Sequence, residues 1–71
     1  MAIQWEDINS SNIKRAGYHL DLKLLLIEFQ NGSEYEYKNV EQSVYDELIK
    51  AESPGTYFAK NIRSVYEFRK L

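Results

Sequence analysis

The residues able to do chemistry are few, and their spacing decides more than their number. His19 is the single histidine, and it stands beside a predicted turn with no nucleophile next to it. A general base there has nothing to activate, so a solvated turn residue is the plainer reading. Glu34 and Glu36 alternate with Lys38 along one strand face, the pattern of a solvated outer face rather than of a carboxylate dyad. Cysteine is absent, which removes disulfides and thiolate metal sites, and no His or Cys occurs at ligand spacing. The three glycines are scattered and form no phosphate loop. The chain therefore reads as a non-enzyme with neither metal nor small-molecule cofactor.

An anion site is the better candidate. Ser53-Pro54-Gly55-Thr56 reads as a helix start, with serine at the cap and proline at the first helical position, where its missing donor costs nothing. The backbone N–H groups of Gly55, Thr56 and Tyr57 would point outward there, and the helix dipole favours a negative group. Lys60 and Arg63 share that helix, Arg69 and Lys70 follow it, and Lys14 and Arg15 add cations from an earlier strand. With Tyr57 or Tyr66 as a stacking surface, such a cluster would hold an RNA phosphate and a splayed base. The alternative is structural: Ser53 only caps, the cations decorate a helix end, and the tyrosines are core.

The elements that must position these residues centre on a hairpin about Gln30-Asn31-Gly32-Ser33. A two-residue loop on Asn31-Gly32 would place Leu25, Ile27 and Phe29 on the face of Glu34, Glu36 and Lys38. A three-residue loop of Gln30, Asn31 and Gly32 instead sets Ile27 opposite Tyr35 and Leu25 opposite Tyr37. It collects one apolar face and needs a left-handed residue at Gly32, so it is the expected form. By the same parity Tyr35 and Tyr37 read as core rather than as a base platform. Leu24 and Leu26 fall on the opposite face, which is then either covered or a sticky patch.

The remaining patterning predicts strands over 12–19, 23–30 and 33–39 and helices over 42–51 and 54–63. Gly17 marks a bulge or a close backbone approach in the first strand. Asn39 could form a capping box with Gln42, with Val40 or Glu41 as the other candidate caps. Ile3 and Trp5 form either an edge strand or an exposed contact, and 65–71 a short strand or an extended tail. The fold class is α+β: a three-stranded antiparallel meander followed by two helices packed on one face. Its predicted core is Ile13, Leu25, Ile27, Phe29, Tyr35, Tyr37, Val44, Leu48, Phe58 and Ile62. Residues 1–71 make one domain, with 1–8 as lead-in and 64–71 as tail.

Composition bounds the partners. Apolar residues make up 44% of the 71 and aromatics 14%, enough for a core, while a net charge of −2 weighs against global attraction to nucleic acid or anionic lipid. Only local basic patches remain for RNA. No segment reads as a signal peptide or a membrane span, so a cytoplasmic protein without membrane association is expected.

Several of these residues, in order, resemble the KTSC-domain family, short bacterial domains named from a segment at the C-terminus of some lysyl-tRNA synthetases. Phe29, Asn31-Gly32 and Tyr35-Glu36-Tyr37 match its central marks, with Ser10-Ser11-Asn12-Ile13 and Gly17-Tyr18 upstream. Asn39-Val40, Ser43-Val44-Tyr45, Leu48, Ser53, Gly55, Phe58, Ile62-Arg63 and Tyr66 continue the match without gaps, over about residues 8 to 71. The family tends to carry proline near position 41 and asparagine near 59, where this chain has Glu41 and Ala59. The resemblance implies a bacterial or phage domain, with RNA binding suggested by the synthetase attachment. A synthetase appendage can equally dock protein, so two binding readings stand. RNA would use Lys14, Arg15, Ser53, Gly55, Thr56, Tyr57, Lys60, Arg63, Arg69 and Lys70. A protein partner or homodimer would use an exposed patch of Trp5, Leu24 and Leu26.

Overall fold

The computed structural model describes residues 3–71, with Gln4 described by its backbone alone. Strands β1 (Gln4–Asp7), β2 (Ile13–His19), β3 (Leu24–Phe29), β4 (Glu34–Tyr37) and β5 (Phe68–Lys70) form one antiparallel sheet in the order β1-β2-β3-β4-β5. Helices α1 (Gln42–Lys50) and α2 (Pro54–Asn61) lie between β4 and β5 in sequence. The α+β class is as the patterning implies, but the sheet has five strands rather than three. The lead-in supplies β1 and the tail supplies β5. Both are short and charged, so their strand character comes from pairing with an existing edge rather than from local propensity.

The central hairpin has the three-residue loop. The Phe29 N–H donates to the Ser33 carbonyl at 2.8 Å, the Gly32 N–H donates to the Phe29 carbonyl at 2.9 Å, and Gly32 has φ +92°. Only a residue without Cβ takes that conformation cheaply. Leu25 consequently pairs with Tyr37 and Ile27 with Tyr35. The bulge of β2 lies at Lys14, between the Ile13–Phe29 and Arg15–Glu28 pairs, and not at Gly17.

Both helices pack on the face carrying Leu25 and Ile27. Ile13, Leu25, Ile27, Val40, Leu48 and Ile62 are fully buried, each contributing roughly 1.5–3 kcal/mol of transfer free energy. Tyr37 and Phe58 join them, whereas Phe29, Tyr35 and Val44 are half-buried against the core. Ile8, Ala16, Tyr18 and Tyr45 are further core members. The Tyr18 hydroxyl donates to the Val40 carbonyl at 2.6 Å, and its ring stacks on Tyr45 at 5.4 Å, fixing the turn into α1 to the sheet. Burial raises the pKa of both tyrosines, so both hydroxyls stay protonated at neutral pH.

The opposite sheet face is covered. Trp5, Gly17, Leu26, Glu36 and Arg69 form one row across the sheet. A Cβ on Gly17 would lie 2.8 Å from Trp5 Cδ2 and Cε3, so the indole occupies the space that glycine leaves. The Arg15 guanidinium sits 4.1 Å from the centre of the Trp5 ring and pairs with Glu28, and Arg69 pairs with Glu36 at 3.3 Å. Leu26 is 8% exposed, and Trp5 and Leu24 are half-buried. Of the two alternatives for this face, covered or sticky, Leu26 fits the covered one, because Gly17 leaves room for the indole and ion pairs flank the row, while Trp5 and Leu24 keep part of their surface exposed.

The helix caps differ from the patterning in detail. Glu41 caps α1 by position, pairing with Lys23 at 3.1 Å, while Asn39 takes a left-handed φ of 59° outside the helix. Ser53 is the cap residue of α2 with Pro54 at the first turn, yet its hydroxyl donates to Thr56 Oγ1 at 2.9 Å and caps no backbone N–H. A serine that caps contributes about 1 kcal/mol. Ser53→Ala is therefore expected to cost less than about 0.5 kcal/mol in a urea titration, since only an exposed hydroxyl pair is lost.

Candidate functional site

Where α2 crosses the β3–β4–β5 edge, five aromatic rings surround a cleft of about 550 Å³. Phe29 and Phe58 come from β3 and α2, Tyr35 and Tyr37 from β4, and Phe68 from β5. Tyr35 and Tyr37 stack at 6.5 Å and 28°, as alternate residues of one strand must when both face the same way. Phe29 meets Tyr35 edge-on at 5.5 Å and Phe58 at 5.6 Å, and Phe58 meets Tyr37 edge-on at 5.5 Å, so the Tyr35–Tyr37 stack closes a ring of four. Such edge-to-face pairs hold rings rigidly in place. Phe68 lies against Tyr35 at 5.7 Å and Tyr37 at 5.8 Å and is 55% exposed. Phe68, with the half-buried Phe29 and Tyr35, thus brings an aromatic surface to solvent.

The rim is polar and carries one cation. Arg63 follows α2, where its N–H donates to the Phe58 carbonyl at 3.0 Å, and it lines the cleft beside Gly55 and Ala59. No carboxylate among the described residues pairs with it. Gln30 Nε2 donates to the Ser10 and Ile13 carbonyls at 3.2 and 3.3 Å, tying the hairpin loop to the β1–β2 connection. Ser11, Asn12, Asn31 and Ser33 complete that side. Burial, with the neighbouring Tyr35 second, pushes the Tyr37 hydroxyl up to about 12 against the lowering influence of Arg63. Tyr37 is thus a neutral hydrogen-bonding group at any physiological pH.

A second groove, of about 480 Å³, runs alongside and shares Ser11, Asn12, Gly55 and Ala59 with the first. Ser53, Thr56 and Lys60 line it opposite Ser10. Gly55 packs tightly here, since a Cβ on it would lie 3.2 Å from Ser10 Oγ.

The cations expected to cluster are divided by the sheet. Arg63 lines the aromatic cleft, Lys60 the second groove, and Lys70 pairs with Tyr35 in register on the same face. Arg15 and Arg69 lie on the opposite face in ion pairs, and Lys14 is exposed at the bulge. Tyr57 lines neither groove: its hydroxyl donates to Glu47 Oε1 at 2.9 Å, bridging the helices, and burial with that bond raises its pKa. Phe29, Phe58 and Phe68 line the cleft although the sequence pattern marks none of them as site residues. The parity of Tyr35 and Tyr37 gave their common face, but the return of Phe68 beside Tyr37 follows from the β4–β5 pairing, which leaves no local signal.

Comparison with known proteins places this arrangement. A model of the KTSC domain matches residues 9–66. The lysine–tRNA ligase of Nostoc punctiforme is 41% identical over 61 residues, which cover 86% of this chain and 11% of that enzyme. The chain thus spans about a ninth of the length of that ligase. A protein of Tsukamurella paurometabola is 36% identical over 52 residues, covering 73% of this chain and 78% of that one. The crystal structure of a KTSC domain protein from Yersinia pestis superposes with a TM-score of 0.91 at 31% identity, over 99% of both chains. The aromatic hairpin, the two helices and the matched span together make this chain a member of the KTSC domain family.

Proposed function

We propose that this domain is a non-catalytic module that binds single-stranded RNA, with a base held in the aromatic cleft and the backbone led along the start of α2. The observation that carries the reading is the cleft itself, where exposed Phe68, Tyr35 and Arg63, which no carboxylate of the described residues pairs, converge. Base stacking on aromatic rings next to a guanidinium is the usual means of holding unpaired nucleotides. The second groove continues from the cleft through Gly55 to Thr56 and Lys60, where backbone N–H groups and a cation suit a phosphate. The similarity to a segment of lysine–tRNA ligases supports an RNA setting.

The covered outer face favours this reading over a protein contact through Trp5, Leu24 and Leu26, whose apolar surface is mostly committed within the sheet. Titration of pooled short RNAs, tRNA included, into labelled protein at low and moderate salt tests the proposal. Arg63→Ala is expected to weaken binding by about fivefold and to reduce the slope of log affinity against log salt by roughly 0.7–1. Wild-type protein that binds no RNA at low salt would contradict it and redirect attention to a protein partner.

A further inference from the structure

The two outer strands of the sheet carry opposite charge. Among the described residues, β1 and β5 each have a neighbouring strand on one side only. Glu6 and Asp7 are exposed on β1, and Phe68, Arg69 and Lys70 are exposed on β5. Charge guards a sheet edge when the strand that approaches it has the same sign. Here each edge has the sign that attracts the other.

The hydrogen-bond register shows which backbone groups point outward. The Lys38 N–H donates to the Glu67 carbonyl and the Leu71 N–H to the Glu34 carbonyl, both at 2.9 Å. Alternate residues of an antiparallel strand bond to the same neighbour, so Glu67, Arg69 and Leu71 bond toward β4. The N–H and C=O groups of Phe68 and Lys70 therefore point away from it. On β1 the Ile8 N–H donates to the Lys14 carbonyl at 3.0 Å, so Glu6 and Ile8 bond toward β2. Trp5 and Asp7 present theirs outward.

We infer that the domain associates with a second copy of itself edge to edge, β5 of one copy adding antiparallel to β1 of the next. One register engages every outward residue, with Trp5 opposite Lys70 and Asp7 opposite Phe68 of the next copy. Glu6 then falls opposite Arg69 in the non-hydrogen-bonded pair, where side chains lie closest, and Asp7 lies diagonal to Lys70. Arg69 would stand between its own Glu36 and the incoming Glu6, and a guanidinium has donors for both. The equivalent self-pairings fail on charge: β5 against β5 sets Arg69 against Arg69, and β1 against β1 sets Glu6 against Glu6. Glu6 shares the helix-bearing face with Ile27 and Tyr35, whereas Arg69 lies on the other face. The sheet thus turns over at the junction, and the helices of adjoining copies lie on opposite sides. Strands this short bury little, so the contact is weak, and because it is heterologous each added copy leaves an edge free for another.

The test is sedimentation velocity of the full chain from micromolar to millimolar concentration at low salt. The apparent mass of wild type should rise about twofold or more across that range, and added salt should return it to the monomer value. Proline at an outward residue removes an N–H that serves only the next copy, so Asp7→Pro closes β1 and Lys70→Pro closes β5. Each variant alone should stay monomeric with a melting temperature near that of wild type. An equimolar mixture of the two should form a one-to-one heterodimer and nothing larger, since one open edge of each kind remains. Glu6→Lys leaves the backbone intact and should weaken association about fivefold. In wild type, the amide hydrogens of Trp5, Asp7, Phe68 and Lys70 should gain exchange protection as concentration rises, a readout that needs no variant. A wild type that stays monomeric at millimolar concentration and low salt would overturn the inference. Association that persists in either proline variant alone, or a mixture that gives no heterodimer, would overturn it as well. Any of these failures leaves the RNA reading of the cleft untouched.

Discussion

Phe68→Ala should lower affinity for single-stranded RNA by tenfold or more while leaving the domain folded. Phe68 contributes the outermost ring of the cleft, within 5.8 Å of both Tyr35 and Tyr37, and more than half of its surface faces solvent. A base stacked on such a ring is worth about 1–3 kcal/mol by alanine substitution. The stability cost should be smaller, because a half-exposed side chain loses little transfer free energy and β5 keeps its backbone pairing with β4. Fluorescence anisotropy gives the affinity and thermal melting the stability. Wild-type affinity in a folded Phe68→Ala protein would show that the ring is not a stacking platform.

The largest expected stability effect lies on the other face of the sheet. Gly17→Val should destabilise the domain by about 3 kcal/mol, at the upper end of the range for overpacking, and lower its melting temperature by roughly 10–20 °C. A Cβ at this position would meet Ile3 Cγ2 and the Trp5 indole at 2.8 Å, closer than such atoms approach, and valine adds two methyl groups beyond it. The indole would have to leave the strand, losing the Arg15 guanidinium above it and opening the row that contains Leu26. For a chain of this size such a loss is a large share of the total stability. Trp5 is the single tryptophan, so its emission should shift to the red at the same time. An unchanged midpoint and emission maximum would mean that Trp5 does not cover Gly17.

What the sequence made legible follows from the range of each signal. The Asn31-Gly32 turn and the parity of Leu25, Ile27, Tyr35 and Tyr37 are local, and both the three-residue loop and the shared face appear in the structure. Proline after serine likewise located the start of α2, although the Ser53 hydroxyl turned to Thr56. The outer strands β1 and β5 depend on partners distant in sequence, so the sequence leaves Ile3 and Trp5 between an edge strand and an exposed contact, and 65–71 between a short strand and an extended tail; the structure has a strand in both places. The candidate site is legible only in part. Arg63, Gly55 and Lys60 were singled out from the helix pattern, and they do border the two grooves. Arg15 and Arg69 belong to the expected basic cluster but lie on the opposite face, and which face a strand residue takes is open until the register is known.

RNA is proposed to bind in the aromatic cleft. The most direct test is a titration of unstructured oligonucleotide into isotope-labelled protein, followed amide by amide at low salt. Shifts confined to Asn12, Ser33, Gly55, Arg63 and Phe68, with Trp5, His19 and Leu26 undisturbed, are the predicted result. Shifts centred on the Trp5 face, or none at concentrations where salt-sensitive binding should saturate, would contradict it.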